Sequence, residues 1–153
     1  MDIFKFLKTV ENVESKMAEV YGRFSRDFAG DEELAGVFGK LTRDEESHRD
    51  IVLFEEKLVM QNRSSFTDLD IDVSGLPETL AKIGEILNSS QALSAEQAIK
   101  FALDCEASVA ELHFRKAITI SNPKISGLMR NLGEKDKDHF GFLEKFAQKR
   151  GSL

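Results

Sequence analysis

Val13-Glu14-Ser15-Lys16-Met17-Ala18-Glu19-Val20-Tyr21 stands 92 positions ahead of Cys105-Glu106-Ala107-Ser108-Val109-Ala110-Glu111-Leu112-His113, and the two stretches run in step. Each sets one carboxylate, Glu14 or Glu106, at the same point of an apolar pattern. Beyond Glu14 by 31 positions comes Glu45-Glu46-Ser47-His48, and beyond Glu106 by 30 comes Asp136-Lys137-Asp138-His139. A shift of 91 lays Leu41, Glu45, His48 and Val52 on Leu132, Asp136, His139 and Leu143. A carboxylate followed by carboxylate-x-x-His therefore occurs twice. Identity between the halves is low, so the coincidence of these residue types carries the argument for a duplicated unit.

Outward from these stretches the apolar spacing is helical. Ile3, Phe6, Leu7, Val10, Val13, Met17, Val20, Phe24 and Phe28 form one long stripe. Gly30 ends it, and Asp31 is an N-cap for a second helix whose positive end suits Glu32 and Glu33. That helix continues through Leu34, Val37, Phe38, Leu41, Ile51, Val52 and Leu58 and stops near Gln61-Asn62-Arg63-Ser64-Ser65. A polar connection follows, with a turn at Gly75-Leu76-Pro77. Pro77 can open a short helix through Leu80, Ile83 and Leu87, closed by Asn88-Ser89-Ser90.

Ser94-x-x-Gln97 has the form of a capping box and starts the third long helix, through Ala98, Phe101, Cys105, Val109, Leu112 and Ile120. Asn122-Pro123 pairs an N-cap with proline at the first helical position. The fourth long helix then uses Ile125, Leu128, Met129, Leu132, Phe142, Leu143 and Phe146 before Lys149-Arg150-Gly151. Two connections are short and predict antiparallel hairpins, whereas the middle one is far longer than a usual loop. The expectation is one all-α domain over residues 1–153, a four-helix bundle of two antiparallel hairpins joined by a long crossover.

Bulk properties narrow the classes. Apolar residues at 41% and charged ones at 31% describe a globular chain rather than a disordered one. A net charge of −6 with no clustered basic stripe argues against nucleic acid. The single cysteine, Cys105, excludes an internal disulfide and Cys-rich zinc or iron–sulfur centres, and reads as a small buried hydrophobe. Met1-Asp2-Ile3-Phe4-Lys5 lacks the basic start of a signal peptide, and no apolar run has membrane-spanning length. A cytoplasmic protein without a membrane role is expected.

The repeated pairs carry the chemistry. Successive helical residues turn by about 100°, so Glu45 and His48 share a face, as do Asp136 and His139. Both pairs are in phase with the apolar stripe, as are Glu14 between Val10 and Met17 and Glu106 between Ala102 and Val109. Ionised carboxylates in a dry core are costly unless paired or metal-bound. Four at one level call for two divalent cations, each taking one imidazole, one terminal carboxylate and shared bridging carboxylates. Such mixed ligation suits iron or manganese, with zinc a possible substitute. An isolated Glu-x-x-His signals little; the order, phase and depth of all four elements together make the case. Glu19 and Glu111 fall well round their helices from Glu14 and Glu106 and read as surface or interface residues.

On these residues the chain resembles the rubrerythrin branch of the ferritin-like superfamily over essentially its whole length. The resemblance implies a ferritin-like bundle and a metal-ligand set of Glu14, Glu45, His48, Glu106, Asp136 and His139 for two iron ions. It also implies a catalytic role for Tyr21, two helical turns after Glu14, either bonding a ligand or meeting a bound oxygen species; a half-buried core tyrosine is the other reading. Departures are plain. Asp136 replaces a glutamate and is one methylene shorter, Val109 stands where a second glutamate is frequent, and His113 occupies the repeat of Tyr21. His113 reads as an extra ligand, a proton donor, or a residue packed behind the ligands. Rubrerythrin proper has a rubredoxin domain with four cysteines, absent here. The implied activity is peroxide reduction or oxygen activation, with electrons from a separate donor such as a rubredoxin. Ferritin-like iron oxidation and sequestration is an alternative, as is a binding or assembly bundle with incidental metal. A homodimer is expected, as is an asymmetric two-metal site with its weaker half at Asp136 and His113.

Overall fold

The computed structural model describes residues 2–66 and 76–152. Side-chain oxygens start each long helix. Asp2 opens α1 (Ile3–Asp27) by accepting from Phe4 N at 2.7 Å, a cap the spacing did not single out. Asp31 opens α2 (Glu32–Gln61) through Leu34 N at 3.1 Å. A short α3 (Leu76–Asn88) lies within the crossover, where Pro77 predicts one. Ser94 and Gln97 close a full capping box on α4 (Ala95–Thr119), with bonds of 2.9 and 3.2 Å. Asn122 and Pro123 begin α5 (Pro123–Arg150), which ends on Gly151 at φ 75°, the left-handed conformation that favours glycine. The rest of the polar connection, 67–75, lies outside the described residues. No strand occurs among the described residues, and no helix is long and apolar enough to cross a membrane.

The chain is an all-helical bundle in which α1 packs along α2 and α4 along α5. The α3 helix leans mainly on α1, where Arg23 donates to the carbonyl oxygens of Ile86 and Gln91. The second hairpin closes tightly at Gly133. A Cβ there would lie 3.2 Å from the Phe114 ring and 3.3 Å from the Ala110 carbonyl oxygen.

Packing divides the interior into two apolar clusters. One gathers Val13, Met17, Val20, Tyr21, Phe24 and Phe38 with partners from α3 and α4. In it the Phe24 and Phe38 rings meet edge to face at 5.0 Å. The other gathers Phe6, Leu7, Val10, Val52, Met129 and Leu132. Glu14, Glu45, His48, Glu106, His113, Asp136 and His139 are all buried as well, so ionisable groups occupy the interior between aliphatic neighbours. Two residues assigned to the inward stripes are exposed: Ile51 at 51% and Phe142 at 38%. Both lie three positions past a histidine of the repeated motif, on helix flanks where α2 and α5 barely touch.

Candidate metal centre

Each helix hairpin delivers one carboxylate from its first helix and a carboxylate–histidine pair from its second. Glu14 comes from α1, Glu45 and His48 from α2, Glu106 from α4, and Asp136 and His139 from α5. All four carboxylate residues are 0% exposed. The six converge as two overlapping groups. Glu14, Glu45, His48 and Asp136 form one; Glu45, Glu106, Asp136 and His139 form the other. Within each group the potential ligand atoms all lie within 4.8 Å of one another, a cluster that can hold a metal ion. Glu45 and Asp136 belong to both.

Individual atoms show how the sharing is arranged. Glu45 turns Oε2 to His48 Nδ1 and Oε1 to His139 Nδ1, each at 3.1 Å. Glu14 Oε2 is 3.4 Å from His48 Nδ1, and Glu106 Oε2 is 3.5 Å from His139 Nδ1. The two imidazoles stack with centroids 5.3 Å apart. Both present Nδ1 to the cluster.

A metal ion fits this donor set because the atoms facing the cluster lack protein hydrogen bonds. Both oxygens of Glu14, Glu45 Oε1, Glu106 Oε2, Asp136 Oδ1 and His139 Nδ1 are buried without a hydrogen-bond partner. Buried polar atoms are almost always satisfied, and so many orphans in one place demand a cation or protons.

The proton affinities of these groups follow from the same burial. Burial pushes the Glu14 and Glu106 carboxyls up to about 8, with the Glu45 charge adding to the effect. Burial also opposes the charge on Glu45, but the imidazoles of His139 and His48, each 3.1 Å from one of its oxygens, prevail and bring it to about 2. Burial works against charged imidazoles, yet the surrounding carboxylates raise His48 to about 10 and His139 to about 11. Without a cation the cluster neutralises itself with protons, and those protons must leave when a metal binds.

Three further side chains touch these six residues. Tyr21 is wholly buried, not half-buried, and its Oη donates to Glu106 Oε1 at 2.6 Å. Burial and the neighbouring Glu106 charge hold its phenol well above its ordinary pKa, so it keeps its proton. His113 Nδ1 is 2.7 Å from Asp136 Oδ2, and its Nε2 is 3.4 Å from Glu14 Oε1. Asp44, which the spacing did not single out, places Oδ2 3.3 Å from His139 Nε2. A carboxylate on the outer nitrogen orients a ligating imidazole. Asp44 lies next to Glu45 in sequence, but nothing in the order of residues pairs it with His139 on another helix.

A surface cleft of about 370 Å³ opens beside the outer edges of the two histidines, lined in part by Lys40, Asp44, Ile51 and Lys135. Two further buried acids on α2, Glu55 and Glu56, share the helical phase of His48 and Glu45 but stand outside the repeated motif. Lysine ammonium groups meet them, Lys8 on Glu56 at 2.9 Å and Lys124 on Glu55 at 3.3 Å. Cys105 is buried and its thiol is pushed up to about 12 by burial and the Glu106 charge, which leaves it unreactive. Glu19 and Glu111 are exposed. No family model, characterised protein or solved structure matches this chain.

Proposed function

We propose that the chain is a rubrerythrin-like carboxylate protein that holds two iron ions and works as an oxidoreductase, reducing hydrogen peroxide or activating oxygen. The observation that carries this reading is the sharing of Glu45 and Asp136 between two ligand groups. One carboxylate bridge from each hairpin, with a terminal carboxylate and an imidazole on either side, is the pattern of di-iron and di-manganese bundles. Glu14 and His48 complete one position; Glu106 and His139 complete the other. Bound iron supplies the redox change, one electron per ion, which a separate donor such as a rubredoxin restores.

The protein's own residues do the rest. Peroxide reduction to two waters consumes two electrons and two protons. Tyr21 keeps its proton at Oη on Glu106 Oε1 and so orients that carboxylate where a bound oxygen species would meet it. Val13, Met17 and Phe24 on one side and Val10, Val52 and Leu132 on the other keep bulk water away from the carboxylates. The cleft over His48 and His139 suits a small reactant. Exposed Ile51, Phe54, Met60 and Phe142 supply apolar surface for a homodimer.

The test begins with elemental analysis of protein purified without added metal. Two metal ions per chain are expected, and Glu45→Ala combined with His48→Ala should lose both. Reduced protein should then be reoxidised by stoichiometric peroxide. Wild-type protein without stoichiometric metal sinks the reading; iron accumulating well beyond two per chain points to sequestration instead.

A further inference from the structure

We propose that His113 is a positioning residue: it holds the shared Asp136 so that its remaining oxygen, Oδ1, stays aimed at the position beside His48, and its loss weakens that position far more than the one beside His139. The inference rests on the two-ion reading above. His113 is 0% exposed, and its Nδ1 makes a 2.7 Å bond to Asp136 Oδ2. A carboxylate only accepts, so Nδ1 carries the proton of that bond. Oδ2 is thereby engaged, and Asp136 keeps one unpartnered oxygen, Oδ1, at 3.9 Å from His48 Nδ1.

An aspartate carboxylate turns easily about its last torsion, whose preference is broad and roughly two-fold. Asp136 therefore needs an outside bond to keep one oxygen aimed at an ion. Glu45 needs none, because each of its oxygens already faces a histidine. The same imidazole also places Nε2 3.4 Å from Glu14 Oε1, so it touches a second carboxylate of the His48 group. Its position repeats that of Tyr21, whose hydroxyl holds Glu106 of the opposite group. Each group thus has one outer residue, a phenol for the full-length glutamate and an imidazole for the shortened bridge. His113 itself is not among the atoms converging on either position.

Cobalt(II) titration of metal-free protein tests this, reading ions bound and the d–d absorption of each step. Wild type should bind two ions. His113→Leu should keep one and bind the other about 10–100-fold more weakly, the usual effect of losing a residue that orients a ligand. His113→Asn places an amide N–H near the position of Nδ1 and should restore the second ion. His113→Gln places it near Nε2 and should not. If the leucine variant does not fold by circular dichroism, the contrast between Asn and Gln carries the test. Two ions at unchanged affinity in the leucine or glutamine variant overturn the proposal, as does loss of both ions from folded His113→Leu. Failure of Asn to restore binding also overturns it, and makes His113 a ligand. Wild type binding no stoichiometric cobalt overturns the two-ion reading, a separate failure.

Discussion

Tyr21 and His113 occupy the same place in the two halves of the chain but do different chemistry. The phenol has one proton to give and spends it on Glu106 Oε1 at 2.6 Å. Removing that hydroxyl leaves a buried ligand oxygen without its donor, which costs about 1.5–3 kcal/mol for a bond to a charged group. Tyr21→Phe should therefore weaken the ion beside His139 by about ten-fold or more while leaving the ion beside His48 in place. The two steps of a cobalt isotherm distinguish these outcomes, and an unchanged isotherm would show that the phenol does not position Glu106. Asp44 bears on the same ion from outside: its carboxylate pairs with Lys40 and with His139 Nε2. Glu106 and His139 thus each have a protein partner outside the cluster, Tyr21 for one and Asp44 for the other.

Between α4 and α5 there is little room at Gly133, close to Glu106 and Asp136. Gly133 lies one turn before Asp136 and faces Ala110, one turn past Glu106. A side chain there must displace the Phe114 ring or the α4 backbone. Gly133→Val should destabilise the protein by about 1–3 kcal/mol, the range for overpacking a tight contact. Chemical denaturation measures it, and an equally stable variant would show that the hairpin has slack. The helix ends themselves were legible. Asp31, Ser94 with Gln97, and Asn122 with Pro123 act where local chemistry places them, because a cap involves only residues within one turn. Ile51 and Phe142 keep the helical period of the apolar stripes yet are exposed, because a period of 3.6 residues gives the width of a stripe only loosely. Their exposure depends on how far α2 and α5 stand apart.

Across the bundle, the buried charges tie stability to pH. Glu14 and Glu106 rise from the ordinary 4.5 to about 8 on folding, so the stability they contribute is complete below 4.5 and lost as pH rises through 8. His48 and His139 rise from 6.5 to about 10 and 11, and their contribution is likewise complete below 6.5 and lost towards those values. Glu45 is lowered to about 2, so its contribution is present above 4.5 and lost only in strong acid. Metal-free protein should consequently lose stability as pH climbs from about 6 to about 9. Bound metal takes the place of the protons and should raise Tm most at the alkaline end. Thermal melts of chelated and reloaded protein at both pH values check this; a chelated protein that melts higher at the alkaline pH contradicts it.

Helix identity, capping, hairpin order and the inward phase of Glu14, Glu45, Glu106 and Asp136 follow from patterns a few residues long, so they could be read along the chain. Packing alone set the rest. Tyr21 meets Glu106 across 85 positions of sequence, and His113 meets Asp136 across 23. Asp44 reaches His139 from another helix, and Glu45 and Asp136 come close enough together to belong to both carboxylate–histidine groups. These contacts depend on the rotation and spacing of whole helices. Side chains interlocking between helices govern those quantities, and no short-range periodicity encodes them.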